Sequence, residues 1–214
     1  MIPGETRNRT MTAAVLHGPE DVRLEEVPIP PIGPRELLAR VEAASIDFTD
    51  RKVYLRGSHP MMRIPGLFGH EWAGVVAARG QQADDRWQPG MRVVAANSAP
   101  CTDQDPAARC RACRRARQGM CERLLYNNGA FAPYLRIPQR IVEVNLYELP
   151  AQVPFGGGRP GRAARLRHAR GPAGADRRRR SDRRCRSRTD RPAVHCRPAA
   201  SVRVVDPSRQ RRSS

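Results

Sequence analysis

The 214-residue chain carries 39 basic and 21 acidic residues and has a formal net charge of +18, which suggests a polyanionic partner. That charge is unevenly spread: residues 1–155 hold 20 basic and 17 acidic residues, whereas residues 156–214 hold 19 and 4. No apolar run approaches the ~20 residues of a transmembrane helix, and residues 1–10 lack the apolar segment of a signal peptide. We therefore expect a cytoplasmic protein without a membrane partner.

Short, β-branched apolar runs separated by Pro and Gly fill the first part of the chain. In chain order they are "MTAAVLHG", "VRLEEVPIP", "ELLARVEAASI", "WAGVVAARG", "MRVVAAN" and "YLRIP". Their rough alternation of apolar and polar residues predicts the strands of a mostly antiparallel β domain. We predict one such domain over residues 11–155, a normal size for a single buried core, after a flexible N-terminus at residues 1–10.

Four of the six cysteines cluster in the stretch "CTDQDPAARCRACRRARQGMC". In a reducing compartment, cysteines are thiols or metal ligands more often than disulfides. The last three stand at C-x2-C-x7-C, and the loop can close four thiolates around a tetrahedral ion. The stretch therefore predicts a structural zinc site formed by Cys101, Cys110, Cys113 and Cys121. The alternative is four unrelated thiols on a basic loop. It stays open because the gap between Cys101 and Cys110 is long for a zinc site.

His70 and Glu71 lie in "PGLFGHEWAGVV", between a Gly-rich turn and an apolar strand. A His-Glu pair alone is weak evidence for a metal site, and a surface turn would explain the pair equally well. The order of several pieces along the chain is more specific. These pieces are "VEAASIDFTD", "GHEWAGVV", "QPGMRVV", the cysteine stretch and "NNGAFAPYLRIP".

This order resembles the catalytic domain of the zinc-containing medium-chain alcohol and polyol dehydrogenases, a mainly β, GroES-like barrel with short helices. The resemblance implies hydride transfer between a small alcohol, polyol or sugar and NAD or NADP, with zinc as metal cofactor. It also implies that Asp47, His70 and a further ligand hold a catalytic zinc, and that Glu71 is a ligand or alternate ligand. Thr49 matches the family's proton-relay hydroxyl. Family members are often homo-oligomeric.

Asp47 departs from the family pattern, which usually has Cys at this position. A carboxylate oxygen is an accepted zinc ligand but makes a harder site, and a metal-free barrel with a solvated Asp47 remains the alternative. We therefore expect one tightly bound zinc, in the cysteine stretch, and weak binding at the second site. Replacing His70 by Ala is expected to leave the bound zinc and the fold nearly intact.

The Arg-, Gly- and Pro-rich residues 156–201 have too few apolar side chains to form a core and are predicted to be disordered as written. Family members carry a Rossmann domain with a G-x-G-x-x-G turn here. A one-base shift of the reading frame lets residues 156–167 and 182–196 encode the matching helix and glycine turn. Residues 202–214 then return to a strand ending in Asp206, spaced as the acid that holds an adenosine ribose. We hypothesise a compensated frameshift and expect little or no dehydrogenase activity.

A second hypothesis takes the arginine-rich tail at face value. The protein would then be a non-enzymatic zinc domain whose tail binds nucleic acid through phosphate charge. The tail lacks Lys and aromatic residues, and aromatic residues supply base stacking in many single-strand binders, so a nucleic-acid partner is not favoured. Sequencing the coding DNA across codons 150–205 separates the two hypotheses.

Overall fold

The computed structural model describes residues 9–101 and 106–156. The predicted Rossmann remnant with Asp206, nearly all of the arginine-rich segment and most of the predicted N-terminus lie outside these residues. Within them the chain forms ten strands and three α-helices. These are β1 Thr10–Gly18, β2 Asp21–Pro28, β3 Leu37–Ser45, α1 Phe48–Arg56, β4 Gly66–Leu67, β5 Glu71–Arg79, β6 Arg92–Ala95, β7 Ser98–Ala99, α2 Arg111–Arg114, β8 Leu125–Tyr126, β9 Tyr134–Ile137, α3 Gln139–Val144 and β10 Leu146–Glu148.

The strands form antiparallel sheets, as their alternating apolar pattern predicts. One sheet has the order β2-β1-β4, a larger one the order β10-β6-β5-β3-β9, and a third pairs β7 with β8. The six apolar runs correspond to β1, β2, β3, β5, β6 and β9, so those strand predictions are confirmed. Among the described residues, no helix has the length and apolar character needed to cross a membrane.

The main core lies along the five-stranded sheet. Its fully buried members include Leu37 on β3, Trp72 on β5, Val93 on β6 and Ile137 on β9. Side chains alternate between the two faces of a strand. Because Trp72 belongs to this core, the preceding residue, Glu71, points to the other face of β5.

Helix α1 follows β3 directly, in the stretch that the family resemblance assigned to a metal loop. It begins after Asp47 and ends at Gly57, whose φ of 60° is in the left-handed region. A side chain at Gly57 would also place its Cβ 2.3 Å from Pro19, so glycine is required where the helix stops. The N-terminus of α1 and the C-terminal end of β3 therefore meet next to Asp47.

Gly69 fixes the backbone immediately before β5. Its φ is 86°, and a Cβ there would lie 2.7 Å from the ring of Phe131. Its carbonyl accepts backbone N–H groups of Gly129 and Ala130 at 2.9 and 3.1 Å. The Phe131 ring and these two hydrogen bonds therefore fix the backbone from which His70 leads into β5.

Arg92 on β6 binds the end of the described chain. Its guanidinium donates hydrogen bonds to the carbonyls of Pro150, Ala151 and Val153, and lies 4.2 Å from the ring centroid of Phe155. The chain therefore remains packed against the sheet up to Phe155.

Candidate metal centres

The first centre, here called the donor cluster, consists of Asp47, His70 and Glu71. One ligand atom from each lies within 4.8 Å of the others. Asp47 lies at the start of α1 and the other two at the start of β5, and the pairing of β3 with β5 brings these ends together. His70 Nε2 lies 3.7 Å from Asp47 Oδ1, close to the ~3.4 Å separation of two ligands on a tetrahedral zinc. The three residues therefore fit a zinc ion.

Asp50, which the sequence analysis did not select, orients the imidazole of His70. Its side chain is buried, and its Oδ1 lies 2.8 Å from His70 Nδ1. Because a carboxylate only accepts hydrogen bonds, Nδ1 carries a proton, and in the neutral imidazole the lone pair is then on Nε2, on the side of Asp47. Burial lowers the pKa of His70, but the hydrogen bond and charge of Asp50, with the charges of Asp47 and Glu71, outweigh it and leave that pKa raised.

Ser45 holds the carboxylate of Glu71 in a similar way. The two residues are register partners across β3 and β5, and the Ser45 hydroxyl donates to Glu71 Oε2 at 2.8 Å. Oε1 of Glu71 therefore has the freer lone pairs of this buried carboxylate. The sequence analysis did not select Ser45 either, because its role depends on the register of two strands that are 26 residues apart.

The donor cluster is accessible from the Asp47 side. The Asp47 side chain is 16% exposed, against 7% for His70. Ile46 and Phe48, on either side of Asp47, are exposed apolar residues, and Lys52 Nζ lies 4.8 Å from the Phe48 ring centroid. The chain on either side of Asp47 therefore exposes apolar surface.

Thr49 lies beside the opening and is half-buried. Its backbone N–H donates to Asp47 Oδ1 at 2.6 Å, and its hydroxyl is 3.5 Å from Asp47 Oδ2, at the outer limit of a hydrogen bond. The Thr49 hydroxyl is therefore next to the donor cluster and only weakly engaged.

The second centre, here called the cysteine lobe, consists of the four predicted cysteines, all of them buried. Their Sγ atoms lie within 4.8 Å of one another, and Cys110 Sγ is 3.7 Å from Cys121 Sγ. Two thiolates on a tetrahedral zinc, with Zn–S bonds of about 2.3 Å, lie ~3.8 Å apart. The four cysteines thus have the separation that a zinc ion requires.

Backbone N–H groups point at the sulfur atoms of the cysteine lobe. Cys110 N donates to Cys101 Sγ at 3.4 Å, Cys113 N to Cys110 Sγ at 3.5 Å, and Cys101 N and Arg123 N to Cys121 Sγ at 3.3 Å each. The N–H of Cys113 lowers the pKa of Cys110 to about 6, whereas burial and the neighbouring thiols raise the pKa of Cys113 to about 12. Even without metal, the geometry favours a thiolate at Cys110.

Comparison with known proteins assigns the chain that carries these two centres to a family. The family described as alcohol dehydrogenase GroES-like domain matches residues 33–149, just over half of the chain. The chain therefore belongs to this family, and the predicted GroES-like, mainly β fold is confirmed.

Particular relatives are dehydrogenases. The chain is 38% identical over 137 residues to the L-threonine 3-dehydrogenase of Stenotrophomonas maltophilia, a match that covers 61% of this chain and 37% of that enzyme. It is 30% identical over 141 residues to the sorbitol dehydrogenase of Bacillus subtilis, covering 63% and 38%. The chain thus spans about two-fifths of the length of these relatives.

Solved structures show the same fold. The alcohol dehydrogenase of Thermus sp. ATN1 is 33% identical with a TM-score of 0.56, and the match covers 68% of this chain and 42% of that one. A zinc-binding dehydrogenase from Sinorhizobium meliloti 1021, bound to NADP, is 28% identical with a TM-score of 0.58, covering 69% and 41%.

Proposed function

We propose that this chain supplies the metal-binding part of a zinc-dependent, nicotinamide-linked dehydrogenase that acts on a small alcohol, polyol or sugar. The observation that carries the proposal is the donor cluster, with its open side, on a GroES-like domain. The relatives named L-threonine 3-dehydrogenase and sorbitol dehydrogenase support the substrate class, since both of those compounds contain secondary hydroxyl groups.

In this proposal Asp47, His70 and Glu71 hold the catalytic zinc and leave one position for the substrate oxygen. When bound there, zinc is a Lewis acid that lowers the pKa of an alcohol. The surrounding side chains keep the ligands in position. Asp50 accepts the proton of His70 Nδ1 in a hydrogen bond, and Ser45 binds Oε2 of Glu71, so that Oε1 is left for the ion.

The apolar surface beside the donor cluster suits the carbon chain of a small alcohol. Ile46 and Phe48 offer apolar surface that binds this skeleton and excludes water from the hydroxyl group. The Thr49 hydroxyl, weakly engaged beside Asp47, is placed to accept the substrate's hydroxyl proton and pass it to solvent. The four cysteines of the lobe have no open position, so they stabilise the domain and take no part in the chemistry.

Hydride transfer needs a nicotinamide, NAD or NADP, which a Rossmann domain would bind. Asp206, which lies outside the described residues, has the sequence spacing expected of the acid that holds the adenosine ribose, and we propose it for that role. As printed, residues 156–161 read GGGRPG and fit the spacing G-x-G-x-x-G, but no long apolar strand leads into them as in a Rossmann domain, so we propose that the chain itself has little or no dehydrogenase activity.

The metal site can be tested without turnover. Purified 214-residue protein, with zinc in the cysteine lobe, is loaded with Co²⁺ at the donor cluster and titrated with sorbitol and with L-threonine. We expect the visible Co²⁺ absorption to shift as the alcohol oxygen binds, and the shift to disappear in His70→Ala. His59→Ala is the matched control, since His59 lies outside the donor cluster, and should behave like the unmodified protein.

Two results would count against the proposal in different ways. If neither alcohol shifts the Co²⁺ absorption of the unmodified protein, the proposed substrate class is refuted. Reduction of NAD or NADP by the purified chain with either alcohol would leave the metal site standing but refute the proposed inactivity and the frameshift hypothesis.

A further inference from the structure

We propose that Asp47 has a second, metal-independent role: it caps helix α1 and, together with Asp50, holds His70 so that the donor groups are in place before an ion binds. Its role as a metal ligand rests on the function proposed above. Its role as a helix cap rests only on the geometry of the chain.

The geometry at Asp47 is that of a complete capping box. Asp47 has an extended backbone, with φ −117° and ψ −175°, and its Oδ1 accepts the N–H groups of Thr49 and Asp50 at 2.6 and 3.1 Å. In return, Asp50 Oδ2 accepts the N–H of Asp47 at 2.8 Å. Aspartate is among the best N-cap residues, and its charge also suits the positive end of the helix dipole.

The capping box and the imidazole form one network. Asp50 uses Oδ2 for the N–H of Asp47 and Oδ1 for His70 Nδ1, so the same buried carboxylate fixes the helix start and the histidine ring. On Asp47, Oδ1 accepts two backbone N–H groups and lies 3.7 Å from His70 Nε2, whereas Oδ2 lies 3.5 Å from the Thr49 hydroxyl. The cap therefore leaves the carboxylate with acceptor capacity, chiefly on Oδ2, for a metal ion beside His70.

This network gives a physical meaning to the departure from the family's usual cysteine. A thiolate binds zinc well, but sulfur is a weak acceptor for the N–H groups of a helix start. The carboxylate of Asp47 is a harder metal ligand and a stronger cap. We therefore expect the start of α1 in this chain to form without the ion.

The test uses the full 214-residue chain with zinc kept in the cysteine lobe and the donor cluster empty. Amide hydrogen exchange is measured by NMR at Thr49, Asp50 and Arg51, the residues whose N–H groups bind Asp47. Asn caps helices as well as Asp does but is a neutral, poorer metal ligand. We expect D47N to keep the protection of the unmodified protein, and D47A to exchange at least ten times faster at Thr49 and Asp50.

Co²⁺ binding to the same proteins separates the two roles. D47N and D47A should both bind Co²⁺ at the donor cluster at least tenfold more weakly than the unmodified protein. D47C should show a thiolate-to-cobalt charge-transfer band and protect the amides only when the ion is bound.

The capping role is refuted if the metal-free, unmodified protein exchanges the amides of Thr49 and Asp50 as fast as D47A does. It is also refuted if D47C protects them fully without metal. If D47N binds Co²⁺ as tightly as the unmodified protein while its protection is retained, Asp47 is not a ligand. In that case the metal site of the proposed function fails and the cap stands.

Discussion

The cysteine lobe and the donor cluster are both sets of potential metal ligands, but they are built in opposite ways. The lobe takes its ligands from one stretch between Cys101 and Cys121, whereas the donor cluster joins a helix start to the start of a strand. The described part of the lobe has a four-residue helix and short 3-10 turns, and its buried cluster is mostly the cysteines themselves. We therefore expect the lobe to depend on a bound metal for its structure, whereas the residues of the donor cluster are held by α1 and the paired strands β3 and β5.

Removing one ligand from the lobe should have the largest effect. Cys113→Ser leaves three thiolates and a hydroxyl, so we expect loss of the tightly bound zinc and a fall in the free energy of unfolding on the order of 4 kcal/mol or more. Metal analysis and urea unfolding measure the two effects. Cys185→Ser, outside the set of four, is the matched control and should keep the zinc. Zinc retained in Cys113→Ser would show that the lobe is not its site.

Removing a ligand from the donor cluster should be milder and should leave the lobe intact. Sequence alone predicted almost no cost to the fold for His70→Ala. The structure gives a reason to expect a cost, because Asp50 is only 2% exposed and would lose its imidazole partner. A buried polar group left without a partner costs ~1–3 kcal/mol, which urea unfolding detects against His59→Ala as control. Loss of the lobe's zinc in His70→Ala would show that the two centres are coupled.

The two centres should also prefer different metals. Thiolates favour soft ions, and carboxylate and imidazole ligands favour harder ones. We expect Cd²⁺ to replace zinc in the lobe and Mn²⁺ to bind only the donor cluster, each with at least tenfold preference. Ultraviolet absorption from cadmium–thiolate bonds and the electron paramagnetic resonance signal of Mn²⁺ report the two events. Mn²⁺ binding abolished by Cys113→Ser but not by His70→Ala would contradict this assignment.

The smallest effect is expected at Ser45. Ser45→Ala removes the hydrogen bond that holds one oxygen of Glu71, so metal binding at the donor cluster should weaken about tenfold while the fold changes little. Calorimetric titration with Co²⁺ gives the affinity, and Ser58→Ala, on an exposed position, is the control. Equal affinities in both variants would mean that Ser45 does not position Glu71.

The sequence predicted six strands of four to nine residues because each lies in an apolar run bounded by Pro, Gly or polar residues, and four of them are long enough to show a period. It did not predict β4, β7, β8 or β10, since two or three residues are too few to show a period. Helix α1 was missed as well: its sequence, "FTDRKVYLR", has no clear apolar stripe, and only the capping pair Asp47 and Asp50 marked its start.

For the site, local spacing and family order were sufficient to select the four cysteines and the three residues of the donor cluster. The sequence analysis did not select Asp50 and Ser45, because their roles depend on partners in another element. Asp50 reaches a histidine 20 residues away, and Ser45 reaches a glutamate 26 residues away. Such contacts exist only once β3 and β5 have paired.

The contacts of Arg92 bear on how the domain tolerates changes in the residues that follow Phe155. Its bonds to the carbonyls of residues 150, 151 and 153 and its contact with Phe155 hold the end of the described chain against the sheet. The proposed shift of reading frame begins at Gly156, one residue beyond the last fastened side chain. Among the described residues, these contacts end at Phe155, so we expect a chain altered from Gly156 onward still to fold this domain and to bind zinc in the cysteine lobe.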